Sequence, residues 1–251
     1  AVLGTALLLV VGIARLLGGS SDGSDGVEQA VQSAAETSTS ATPSGAASSS
    51  AVAPTDDATA GTVRAQYPDV QLLSPRRNLG GAGRNLGVAW ARTPYVAFAD
   101  DDSWWLPGAL PHAAQVLDAH PRLALLAARV LVGPQQVPDP LCDLMAASPL
   151  PREPDLPGPS VLGFMACGAV VRAAPFVAAG GFDEVFGVGG EEAALSLDLA
   201  SAGWGLSYVD TVVARHMPSP VRDREARRRR VIRNELLVQW MRRNRRDAIR
   251  F

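Results

Sequence analysis

A chain of 251 residues with 47% hydrophobic content has enough apolar material for one α/β domain of ordinary size plus extensions. Its formal net charge is −2, and every one of its 23 basic residues is Arg. Cys142 and Cys167 are too few and too far apart for a metal knuckle or a disulfide framework, so the expected compartment is reducing and cytoplasmic.

Residues 1–18 are almost wholly apolar, broken by Arg15, and lie near the lower length limit for a membrane-spanning helix. They read as a membrane anchor or uncleaved signal segment, as the remnant of a trimmed signal peptide, or as a hydrophobic strand of the domain itself. Residues 19–50 are dominated by Ser, Ala, Gly and Thr. Such a segment cannot bury enough to offset its ordering entropy, and it reads as a low-complexity linker.

The texture changes at Ala51. Asp56 and Asp57 form an acidic pair before a helix that is expected to start at Thr62, and residues 70–73 read as a strand. Glycines at 80, 81 and 83 then let backbone approach a ligand at the entry to a helix, where exposed N–H groups favour an anion and Arg84 adds charge. A tight loop entering a packed helix explains the same glycines. Next comes the most compressed stretch of the chain, an apolar run from Tyr95 to Ala99 ending in Asp100, Asp101 and Asp102. This predicts a buried strand delivering acids to a solvent edge, with Asp100 and Asp102 on one side and Asp101 on the other. Two carboxylates on one side can share a hard divalent cation such as Mg²⁺, which keeps bonds to substrate phosphates. A solvated acidic loop is the alternative.

Pro107 opens a predicted helix reaching about His120, and residues 123–132 read as a buried strand. Residues 133–160 are proline-rich without a clear period, which predicts a long surface connection. Strand pattern returns over residues 161–171. A glycine turn before Glu191 and Glu192 then opens a helix through Ala202, where the two acids are either functional or partners of the helix dipole. Residues 204–213 read as a final strand leading to His216, a candidate imidazole ligand. From residue 221 the tail holds 12 of the 23 Arg, interleaved with Ile232, Leu236, Leu237, Trp240 and Met241. This predicts a basic amphipathic helix suited to anionic lipid, a nucleic acid or another protein. Nucleic acid is disfavoured, because net positive charge is confined to this tail, the rest of the chain is acidic, and no reader motif is visible.

Taken together and in order, the residues from about Asp56 to Met217 resemble the family 2 glycosyltransferases. The acidic pair at 56–57, the segment through Asn78, Gly80, Arg84, Asn85 and Gly87, the Asp100 to Asp102 signature followed by Trp105 and Pro107, the Gly180 to Glu184 turn, and Glu191-Glu192 all match signatures of that family. The resemblance implies an α/β GT-A fold, a Rossmann-like mixed sheet flanked by helices, over residues 51–220. The hydrophobic N-terminal segment would then be an anchor or a degenerate first strand, and residues 221–251 the Arg-rich C-terminal helix.

It further implies an inverting enzyme that moves a sugar from a nucleotide-diphosphate sugar to an acceptor hydroxyl on a carbohydrate or a lipid-linked molecule. Mg²⁺ or Mn²⁺ would be held by Asp102, Asp100 and His216. Asp56, Asp57, Arg84, Asn85, Asp100 and Asp101 would bind the nucleotide sugar, and Glu192, with Glu191 before it, would be the base. Trp104, Trp105 and Trp204 are candidates for the acceptor side, although large aromatics near a strand end are commonly core.

Two functional readings follow: a metal-assisted glycosyltransferase at the cytoplasmic face of a membrane, or a catalytically inactive relative acting as a membrane-associated interaction module. A nucleotidyltransferase is disfavoured, since the phosphate loop it needs at a first strand has no counterpart.

Overall fold

The computed structural model describes residues 9–13, 59–218 and 224–243. Asp56, Asp57 and the linker read over residues 19–50 lie outside them. The described chain runs through strand β1 (Leu9–Ile13), helix α1 (Thr59–Gln66), a 3₁₀ turn at Gly80–Ala82, and helix α2 (Gly83–Trp90). Strands β2 (Tyr95–Ala99) and β3 (Ser103–Trp105) follow, then helix α3 (Ala109–Ala119), strands β4 (Leu123–Val132) and β5 (Val137–Pro138), and helix α4 (Pro140–Ala146). Strand β6 (Ala169–Arg172), helices α5 (Ala173–Ala178) and α6 (Glu191–Ser201), strand β7 (Gly205–His216) and helix α7 (Arg224–Arg242) complete it.

The strands form one mixed sheet in the order β1-β2-β6-β4-β7-β3, with β5 added on β4. Among the described strands, only β4 and β7 run parallel; the other pairings are antiparallel. Leu9–Ile13 thus takes the strand reading of the N-terminal segment, with Leu9 opposite Ala99 and Ile13 opposite Tyr95. Among the described residues, no helix is long and apolar enough to cross a membrane.

β2 contains no charged side chain and is buried along its whole length. Its alternating residues feed two cores. Val96 and Phe98 face Val88 of α2, Phe176 of α5, Phe182 and Leu195 of α6. Tyr95 and Ala97 face Ala113 and Leu117 of α3 on the opposite side. Helices therefore cover both faces, and the acidic triplet leaves the sheet where β2 ends.

Several boundaries differ from the sequence reading, for local reasons. Residues 70–73 are irregular, with no ladder partner among the described residues, and Leu72 and Leu73 instead line an open apolar groove with Leu86 and Trp90. The strand expected over 161–171 shrinks to β6, because residues 166–168 tighten into a 3₁₀ turn. Within 133–160, Asp139 caps α4 by accepting from the Leu141 N–H at 2.9 Å, and Pro140 occupies the first helical position. α1 begins three residues before Thr62, and β7 extends past Val213 to His216.

Candidate active site

The turn between β2 and β3 carries the acidic triplet. Asp100 donates its backbone N–H to Ser103 Oγ at 2.7 Å, and Ser103 returns its own N–H to the Asp100 carbonyl at 3.0 Å. The strand alternation expected for the three acids is lost here, because the chain turns at residues 101–102. Each acid has a separate setting. Asp101 is exposed. Asp100 is ion-paired with Arg84. Asp102 places Oδ1 3.2 Å from His216 Nε2, and its carbonyl accepts from the Met217 N–H at 2.7 Å. His216 is fixed in turn by β7, with Ser103 opposite it on one side and Val132 on the other.

Arg84 is the buried cation of this region. Its guanidinium carbon lies 5.8 Å from the centre of the Phe182 ring, and its Nε is buried with no hydrogen-bond partner. Phe182 is held by a cluster of rings, 5.6 Å from Phe98 and 5.4 Å edge-on from Phe176. Asn85 follows one residue later, and both ends of its amide are engaged by the Phe182 backbone: Nδ2 donates to the carbonyl at 2.8 Å, and Oδ1 accepts the N–H at 2.9 Å. Asn85, a residue the family resemblance assigns to the nucleotide sugar, thus ties α2 to the turn that carries Phe182.

The two glutamates open α6 after Gly190, whose φ of 104° is left-handed. They differ in access. Glu192 is half-buried, whereas Glu191 is 2% exposed. Backbone at Gly81 covers Glu191 so closely that a Cβ there would lie 2.6 Å from Oε1, while Oε2 is buried without a hydrogen-bond partner. Burial pushes the Glu191 carboxyl up to about 8; the charge of Glu192 adds to the rise, and Arg84 opposes it. The glycine turn at 80–82 closes on the same loop, since the Gly81 N–H donates to the Gly187 carbonyl at 2.5 Å.

Cys167, a residue with no sequence signal beyond a small-residue strand, is buried in the 3₁₀ turn before β6. Its buried thiol is pushed up to about 12, chiefly by burial, and it also senses the charges of Asp100, Arg84, Asp102 and Glu192. The two acidic places are joined by contact through the segment Gly80 to Asn85, since Arg84 pairs with Asp100 and the Gly81 backbone lies against Glu191.

The expected metal trio is divided. Among the described residues, no three His, Cys, Asp or Glu side chains converge as a metal cage. Arg84 holds Asp100, and Asp102 and His216 are left side by side. A carboxylate and an imidazole fit a cation that takes its remaining ligands from diphosphate and water.

The tryptophans are also divided. Trp105 donates Nε1–H to the Phe98 carbonyl at 3.0 Å and, like Trp204, packs against the main core. Trp104 is 46% exposed, with the Arg215 guanidinium 5.5 Å from its ring centre. It pairs with Arg215 while Ser103 pairs with His216, so Trp104 projects from the strand face opposite His216.

The fold matches solved structures of residues 1–349 of S. aureus TarS. The complex with UDP-GlcNAc aligns with a TM-score of 0.52 at 16% identity, over 74% of this chain and 54% of that one. The complex with UDP aligns with a TM-score of 0.50 at 17% identity and the same coverage. This chain spans about half the length of those chains, and the likeness establishes the GT-A fold. No curated protein matches the chain. The glycosyl transferase family 2 pattern matches residues 52–178, just over half of the chain, and runs through the Arg84 turn, the acidic triplet and Cys167. On that match and this fold, the chain belongs to glycosyl transferase family 2.

Proposed function

We propose that this chain transfers a sugar from a nucleotide-diphosphate sugar to an acceptor hydroxyl with inversion at the anomeric carbon. The carrying observation is that one segment, Gly80 to Asn85, meets both acidic places: Arg84 pairs with Asp100 two residues before the Asp102–His216 pair, and the Gly81 backbone lies against Glu191, next to Glu192. The TarS structures hold UDP or UDP-GlcNAc, which supports a nucleotide-sugar donor here.

Asp102 and His216 are the residues that would hold Mg²⁺ or Mn²⁺, whose chemistry is to neutralise the charge gathering on the departing diphosphate. Arg84 carries fixed positive charge beside Asp100, and the glycine turn at 80–82 presents backbone without side-chain bulk. Glu192 is assigned as the base that takes the acceptor proton, because it is half-buried while Glu191 is sealed beneath Gly81. A base in that position contributes roughly 10²–10⁴-fold. Attack from the face opposite the diphosphate then inverts configuration.

Incubation with a panel of nucleotide sugars and Mn²⁺ is expected to release nucleoside diphosphate, and Asp102→Ala to lower that rate at least about 100-fold. NMR of the product reads the anomeric configuration. No turnover across the panel, together with no metal-dependent nucleotide binding by calorimetry, would defeat the assignment.

A second reading, an inactive relative acting as a membrane-associated interaction module, draws on the outer face of α7. Ile232, Leu236 and Trp240 recur there at helical spacing and are 49%, 46% and 57% exposed. Release of nucleoside diphosphate would defeat the inactive reading, whereas lipid binding through this face of α7 is compatible with either.

A further inference from the structure

Asn234 lies in the middle of α7 and is fully buried, although Asn is a poor residue for a helix interior. Burial of an amide is costly unless its hydrogen bonds are made, and this one makes several. Nδ2 donates to the Phe186 carbonyl at 2.8 Å, and the Gly189 carbonyl is a closer acceptor; the Val188 carbonyl lies at 3.5 Å. Oδ1 accepts from Arg233, whose other arm donates to the Val185 carbonyl at 3.1 Å.

These carbonyls belong to one turn. Gly187, Gly189 and Gly190 within it have φ of 68°, 88° and 104°, so the turn is built from residues with the widest conformational freedom. It is bordered by Gly81 on one side and by Asn234 on the other. A Cβ on Gly190 would lie 2.8 Å from Asn234 Cβ, so α7 and the turn are in backbone-level contact. The next residues are Glu191 and Glu192. Around them, Val238 packs against Phe186 and Ala194, and Arg242 Nε lies 2.7 Å from Asp198 Oδ1 on α6.

We propose that Asn234 is a positioning residue for the Glu191–Glu192 pair, acting through the carbonyls of Phe186 and Gly189 to hold the glycine turn that places both carboxylates. The inference rests on the transferase reading for its catalytic meaning, but its structural content stands separately. α7 is thereby a wall of the site as well as a surface helix. Without the amide, the buried Phe186 carbonyl and the part-buried Gly189 carbonyl lose their donor, and a turn of three left-handed glycines is released just before Glu191 and Glu192.

The test compares Asn234→Ala, and the milder Asn234→Ser that keeps one short donor, with Val238→Ala. The last opens a cavity in the same helix contact but removes no hydrogen bond from the turn. Well below the unfolding temperature, both Asn234 variants are expected to lose about 10–100-fold in kcat while the donor KM changes less than about threefold, with Val238→Ala close to wild type.

A readout independent of turnover is the ¹³C-carboxyl NMR titration of Glu191. Its midpoint is expected to move down from about 8 in the Asn234 variants, as water reaches the carboxyl, and to stay in Val238→Ala. A wild-type midpoint and wild-type kcat in both Asn234 variants would overturn the proposal, as would equal effects in Val238→Ala. A shifted midpoint in a chain whose wild type neither releases nucleoside diphosphate nor binds nucleotide with metal upholds the positioning role and removes the transferase reading instead.

Discussion

Glu191 begins to ionise near pH 4.5 in an unfolded chain but holds its proton to about pH 8 in the fold, because burial and Glu192 outweigh Arg84. Between those two values the folded state binds more protons than the unfolded state, so this group makes stability fall as pH rises. One proton of difference gives a slope of at most about 1.4 kcal/mol per pH unit. Glu191→Gln cannot titrate and is expected to flatten that slope in urea denaturation between pH 5 and 8; parallel slopes in the two proteins would refute the burial argument. The presence of acids at both places was legible in the sequence, since each lies at an element boundary, the end of an apolar run or the start of a helix after glycines. Their division of labour was not. That Arg84 takes Asp100 and leaves Asp102 to His216 depends on an ion pair and a strand register that no local pattern encodes.

At the scale of elements, the site is assembled from short ties between segments far apart in the chain. Asn85 on α2 and Phe182 are 97 residues apart, and a single amide closes both backbone groups of Phe182. Removing it strands an N–H and a carbonyl in a part-buried setting. Asn85→Ala is therefore expected to cost about 2–4 kcal/mol in urea unfolding, and Asn85→Asp, which keeps the acceptor, about half of that. If the asparagine served a nucleotide instead, stability would hold and only nucleotide affinity would fall. β2, α3 and β4 were legible because each carries a long, unambiguous hydrophobic pattern. The strand expected over residues 70–73 failed because a strand exists only with a ladder partner, which is a property of the sheet and not of four residues. Trp105 illustrates the same limit: its indole N–H finds the Phe98 carbonyl across the β2–β3 turn, which makes it core.

Across the whole molecule, α7 has two faces with different work. The inner face, through Asn234 and Val238, closes on the turn before α6. The outer face carries Ile232, Leu236 and Trp240, in a helix with seven Arg against two Glu. An apolar stripe on so cationic a helix matches an anionic lipid surface, where each basic side chain contributes about 1 kcal/mol and the apolar residues enter the headgroup boundary. The expected result is flotation with vesicles containing phosphatidylglycerol but not with phosphatidylcholine alone, weakening as salt is raised. Trp240 fluorescence should shift to the blue on binding. The triple change Ile232→Ser, Leu236→Ser and Trp240→Ser should abolish flotation without loosening the α6–α7 contact, since none of the three reaches Asn234 or Val238 through that exposed stripe. Equal binding to neutral vesicles, or binding that survives the triple change, would show that the arginines and the stripe do not act together on lipid, and would leave the outer face of α7 to a protein partner.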